Sequence, residues 1–179
     1  MSTSGEAARL SVERPELRIE VRRYDDPVVT ELVRQLQQIF VQRYGGPDEA
    51  VVDPVEFSPP LGLFLVGFVG DEAVASGGWR LQDEPAADQS TATQDPGRRT
   101  AEIKRMYVIE RMQRRGLSRL MLSALEESAR QAGVSDLVLN TGAGQPEAIA
   151  LYLSSGYVAV PGFGVYAAHP GAHFYGKSL

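Results

Sequence analysis

Thr100-Ala101-Glu102-Ile103-Lys104-Arg105-Met106-Tyr107-Val108-Ile109, then Gln113-Arg114-Arg115-Gly116-Leu117-Ser118 after a three-residue step, reads as a strand, a turn and the start of a helix. A glycine at such a turn lets backbone approach a ligand closely, and the unpaired N–H groups of the first helical turn point at whatever binds there. Charge agrees with that reading: of the 18 Lys and Arg residues, six (Lys104, Arg105, Arg111, Arg114, Arg115 and Arg119) lie between positions 104 and 119, in a chain of net charge -5. A solvated basic helix start would look the same, so the cluster alone leaves two readings: an exposed basic face, or a site for a polyanion.

Outward from this stretch the chain alternates strands and helices. Residues 115–132 continue as a long helix closed by Gly133, with Leu117, Met121, Ala124, Ser128 and Ala132 expected on its packed face. Residues 137–141 form the next strand, and 146–155 a helix that begins at Pro146 and ends before Gly156. Two short strands, 157–160 and 173–177, flank a Gly- and Pro-bearing loop.

Upstream, Leu17, Ile19 and Val21 alternate with charged residues as in a half-buried strand, and residues 26–44 repeat apolar positions at helical spacing. Residues 63–69 and 74–81 flank a Gly70-Asp71-Glu72 turn and form a hairpin. The proline-rich segment 47–60 has room for at most a short helix, and residues 82–99 read as a long exposed loop. Residues 1–15 read as a flexible N-terminal extension, leaving one domain over 16–179. The fold class is therefore α/β, a mixed sheet with helices on both faces.

Composition narrows the function. With no cysteine there is no thiolate nucleophile and no cysteine-ligated zinc. His169 and His173 have the four-residue spacing of helical metal ligands, but Pro170 and Gly171 lie between them, so no metal site is expected. No long apolar run or secretory start occurs, so the chain reads as soluble and cytoplasmic, without a membrane partner. Net acidity and sparse aromatic interleaving argue against nucleic acid. Trp79 reads as strand packing.

The central stretch resembles the GCN5-related N-acetyltransferases (GNAT), whose signature is Gln or Arg, two variable residues, Gly, one variable residue, then Gly or Ala. Gln113, Gly116 and Ser118 fill it, with serine replacing the last small residue. Asn140-Thr141-Gly142, the helix from Gln145 to Tyr152, Gly156-Tyr157 and the closing stretch 173–179 resemble later family motifs, in order.

The resemblance implies a single-domain, mostly antiparallel sheet with a splay between its fourth and fifth strands. It further implies acetyl-CoA as cosubstrate. Backbone groups of Met106, Tyr107 and Val108 would hold the pantetheine arm, and Gln113, Arg114, Arg115, Gly116, Leu117 and Ser118 the pyrophosphate. Asn140 would assist, or alternatively cap its turn. Tyr152 would protonate the departing thiolate, the alternative being a packing aromatic. Glu102 would act as general base, the alternative being a structural partner of Lys104 or an arginine. The acceptor implied is a small-molecule or peptide amine, cationic given the net charge. A homodimer is left open, and the rival reading is a non-catalytic CoA-responsive module of the same fold. Specificity is expected from the first helix, residues 47–60 and the 160–173 loop.

Overall fold

The computed structural model of the chain describes residues 16–82 and 97–179, so the extension expected over 1–15 and most of the loop expected over 82–99 lie outside the described residues. The strands are β1 (Arg18–Val21), β2 (Gly62–Val69), β3 (Glu72–Leu81), β4 (Thr100–Val108), β5 (Asp136–Gly142), β6 (Val158–Ala159) and β7 (Ala172–Ser178). The helices are α1 (Pro27–Tyr44), α2 (Leu117–Gln131) and α3 (Pro146–Ser154), with short 3-10 turns at Pro54–Phe57, Glu110–Met112 and Gly164–Tyr166.

Local chemistry sets the boundaries. Asp26 caps α1 by accepting from the Val28 N–H, Pro27 supplies a first-turn residue that needs no donor, and Gly45 closes the helix at φ 80°. For α2 the packed face is Leu117, Met121, Leu122, Leu125 and Ala129. That stripe is wider than the sequence spacing suggested, and Ala132 falls outside it on the exposed C-cap.

The strands form one sheet in the order β1-β2-β3-β4-β5-β7-β6, with β4 and β5 its parallel pair. Alternation along β3 shows the two faces. The Trp79 indole donates to Ser128 on α2, whereas Arg80 reaches Glu56 and Val51 on the opposite side. Buried Val29, Leu32 and Leu36 of α1, the α2 stripe and inner strand residues such as Phe64, Val74, Ile103 and Leu139 make the core.

The splay follows from unequal pairing. Thr100 to Glu102 pair with Asp136 to Val138, and there the parallel ladder stops. Beyond that point β4 stays with β3 as far as Val108 opposite Ala75, while β5 stays with β7 as far as Gly142 opposite Ala172. Each strand is tied to its outer neighbour, so the gap opens between them.

Candidate active site

At the end of β4 the Ile109 N–H donates to the Val74 carbonyl at 3.0 Å. By alternation the groups of Val108 face away from β3, toward the gap. Its carbonyl accepts from Gln113 Nε2 at 3.0 Å, which anchors the following loop to the strand. Arg114 (φ 58°) and Gly116 (φ 83°) both take left-handed conformations there. Gly116 is the N-cap of α2, and among the described residues no side chain caps that helix and a Cβ on Gly116 would meet no atom within 4 Å. The first-turn donors therefore face open space, as an anion site requires.

Among the described residues Arg114 and Arg115 are exposed and make no ion pair, whereas Arg111 pairs with Glu72 and Arg119 donates to Ser154 and Ser155. Leu117 buries its side chain in the core and offers only its backbone, and Ser118 sits half-buried in the first turn. These features fit a pyrophosphate.

The gap itself is a cavity of about 390 Å³. Met106, Asn140, Ala148 and Tyr152 form one part of its wall; Phe40, Tyr44, Asp48, Glu49 and Tyr166 form another. α3 directs Tyr152 inward, where it is 6% exposed and packs edge-on against Tyr157 at 5.7 Å between ring centres. Its hydroxyl has no hydrogen-bond partner among the described residues, and burial alone pushes its phenol above the ordinary value. It is thus protonated at neutral pH. Tyr107 is not on the cavity wall: its side chain donates to Gln35 on α1 at 3.3 Å, and in the sheet it lies opposite Ser76 of β3.

Glu102 is buried beside the cavity rather than on its wall. It pairs with Lys104 at 3.0 Å and with Arg80 at 3.1 Å, and Arg80 also bonds Glu56 at 2.5 Å. Lys104 in turn donates to Asn140 Oδ1 at 3.4 Å across the gap.

A second buried pair joins Arg105 to Asp48, which also accepts from the Tyr166 hydroxyl at 2.7 Å. Burial raises the Asp48 carboxyl, but the Arg105 guanidinium, the Ala50 N–H, the Tyr166 hydroxyl and Lys104 together hold it below its ordinary value. Asp48, Arg105 and Tyr166 were not singled out as site residues from sequence. The one signal was Lys104-Arg105 in a strand whose only carboxylate is Glu102, since two buried cations there call for a further acid from elsewhere.

The sequence profile of the acetyltransferase (GNAT) family matches residues 30–157. The chain belongs to the GNAT family. An IAA acetyltransferase of Azospirillum brasilense is 28% identical over 151 residues, 84% of this chain and 90% of that protein. A Klebsiella pneumoniae structure named as an acyl-CoA N-acyltransferase superposes with a TM-score of 0.70 at 27% identity, covering 91% of this chain and 97% of the other. A GNAT acetyltransferase of Elizabethkingia anophelis, solved with acetyl-CoA bound, has a TM-score of 0.60 at 14% identity, with 91% and 98% covered, and shares the fold.

As a GNAT chain it has the α/β topology with the splayed pair, and one side of its cavity is walled by α1, the loop after it and the β6–β7 loop. His169 lies on the cavity wall, whereas His173 does not. His169 Nδ1 accepts from the Gly171 N–H at 3.1 Å, and His173 stacks on Tyr175. No helix among the described residues is long and apolar enough to cross a membrane.

Proposed function

We propose that this GNAT chain transfers an acetyl group from acetyl-CoA directly to the nitrogen of an amine held in the same cleft. The observation that carries this is the single cavity whose wall includes both Met106, Asn140 and Tyr152 on the donor side and Asp48, Glu49 and Tyr166 on the other. Donor and acceptor can meet there without a relay, and the chain has no cysteine to carry an acyl group.

Acetyl-CoA supplies the thioester carbonyl that the amine attacks. Gln113 to Ser118 bind the pyrophosphate through backbone donors, with Arg114 and Arg115 adding charge. Backbone groups of Met106 to Val108, left without partners in β5, bind the arm and polarise the carbonyl, as an oxyanion hole does. Asn140 holds the opposite edge. As the C–S bond breaks, Tyr152 gives a proton to sulfur.

The amine must first lose its own proton, because an ammonium with a pKa near ~10.4 is no nucleophile. Glu102 is our candidate base, reached through water past Lys104. Glu49 is a second candidate, favoured by its place on the wall and its lack of any ion pair among the described residues. The same exposed carboxylate and the net charge of -5 support an acceptor that is cationic in solution.

A panel of amines assayed for thiol release from acetyl-CoA tests this reading. Release with at least one cationic amine is expected; acetyl-CoA binding without release for any amine would favour the non-catalytic CoA-responsive module. Glu102→Gln separates the two bases: loss of the acidic limb of the pH–rate profile, with turnover down about tenfold or more, marks Glu102. An unchanged profile leaves Glu102 as the partner of Arg80 and Lys104 and moves the assignment to Glu49.

A further inference from the structure

Arg105 interrupts β4 just beyond the point where that strand leaves β5. Its φ of 58° is left-handed, a conformation that costs a side-chain-bearing residue on the order of 1 kcal/mol. The β3–β4 ladder shifts here, Ser76 facing Tyr107 and Gly78 facing Lys104, so Arg105 and Met106 together oppose Gly77 in a β-bulge. The Arg105 carbonyl, out of the ladder, accepts from the buried Ser76 hydroxyl at 3.2 Å.

The side chain at this bulge is committed far from its own strand. Only 5% exposed, its guanidinium pairs with Asp48, in the loop after α1, and reaches toward the Ala50 carbonyl at 3.5 Å. Asp48 accepts from the Tyr166 hydroxyl at 2.7 Å, and the Tyr166 oxygen accepts from the Glu49 N–H, also at 2.7 Å. The Ala50 N–H closes the cluster on Asp48 at 2.9 Å. Three segments that sequence keeps apart, the loop after α1, the β4 bulge and the β6–β7 loop, thus meet at one carboxylate on the cavity wall.

We propose that Arg105 is a positioning residue: through Asp48 and Tyr166 it locks the acceptor-side loops to the β4 bulge, so that the amine and the backbone that polarises the thioester are held in one geometry. This rests on the acetyl transfer proposed above. A bulge maintained by backbone preference alone would need no such side chain, and glycine, which takes a positive φ without strain, would serve as well. Arg105→Gly therefore keeps the backbone conformation and removes the lock. Asp48→Asn keeps the shape and removes the charge opposite Arg105, while Tyr166→Phe removes the two bonds of the Tyr166 hydroxyl, to Asp48 and from the Glu49 N–H, and leaves the Arg105–Asp48 pair in place.

The experiment measures, on the full chain, acetyl-CoA affinity by calorimetry, kcat/KM for the best acceptor, and hydrogen exchange at the Glu49 and Ala50 amides. For Arg105→Gly and Asp48→Asn we expect kcat/KM lower by about ten- to a hundredfold, and exchange at Glu49 and Ala50 faster by about tenfold, with acetyl-CoA affinity within about threefold of the parent. Tyr166→Phe should show the same pattern at about three- to tenfold.

Parent kcat/KM in Arg105→Gly overturns the proposal, as does a lowered melting temperature with unchanged kcat/KM. Unchanged exchange at Glu49 and Ala50 in a folded Arg105→Gly overturns it irrespective of turnover. If the parent binds acetyl-CoA but acetylates no amine, the transfer reading fails on its own, and the exchange measurement still decides whether the lock exists.

Discussion

The two ends of the cleft are built on opposite principles. At the end proposed for pyrophosphate, residues 113–116 are exposed, and among the described residues no side chain caps the helix that follows and Arg114 and Arg115 make no ion pair. At the end proposed for the acceptor the cations are paired, Lys104 and Arg105 buried and Arg80 half-buried: Lys104 with Glu102, Arg80 with Glu102 and Glu56, Arg105 with Asp48. One end holds its donors in reserve for a ligand. The other has spent them on internal order, and so fixes shape rather than charge.

The largest effect should come from breaking the reserved end. Gly116→Glu puts a carboxylate and a strained φ where phosphate must approach backbone, in space no protein atom fills. Acetyl-CoA affinity by calorimetry should fall by more than about a hundredfold, and the melting-point rise that acetyl-CoA gives the parent should vanish. Dephospho-CoA should raise the parent's melting temperature less than CoA does. A Gly116→Glu protein that binds acetyl-CoA normally would place the pyrophosphate elsewhere.

Tyr152→Phe probes the boundary between the two ends. The ring keeps its contact with Tyr157, and the lost hydroxyl has no protein partner among the described residues, so stability should change little. If sulfur depends on that proton, kcat should fall by roughly ten- to a thousandfold in single-turnover kinetics. Parent-rate chemistry would make Tyr152 a packing aromatic.

The same contrast explains what could be read from sequence. The pyrophosphate end is local: a strand, a four-residue pattern from Gln113 to Gly116 and a helix start lie in one stretch, and their chemistry is a property of backbone. The splay was implied by resemblance, and its physical cause, two strands each holding to an outer neighbour, needed the register to be seen. At the other end Arg105 and Tyr166 lie 57 and 118 positions from Asp48, and no periodicity links the three. Glu102 illustrates the limit within one strand. Its pairing with Lys104 follows from two-residue alternation, but Arg80 and Glu56 as further partners follow from topology.

Asp48 offers a finer test of the spent end. Its carboxyl is held below its ordinary value, so the stabilisation it gives is fully present above the unfolded value of about 3.9 and is lost as pH falls through the lowered one. Tyr166, whose phenol burial raises above its ordinary value, stays neutral throughout that range. The melting-temperature gap between parent and Asp48→Asn should therefore be widest above about pH 5 and narrow on further acidification. A gap that stays constant down to pH 2 would mean that the carboxylate charge is not what Asp48 contributes.

The smallest effect expected is at Ser118, where the sequence departs from the family's glycine or alanine. If the reserved end works through backbone donors, the side chain in the first turn of α2 matters only by being small. Its hydroxyl makes no hydrogen bond among the described residues, and the residue is half-buried at a helix start that no side chain caps. Ser118→Ala keeps the space and the N–H while removing the one polar atom serine adds, so acetyl-CoA affinity should change by less than about threefold. Ser118→Val keeps the N–H as well but thrusts a branched side chain toward the ligand, and a loss of about tenfold or more is expected there. Parallel losses in both variants would show that the serine hydroxyl itself binds phosphate, and the pyrophosphate end would then depend on a side chain as the acceptor end does.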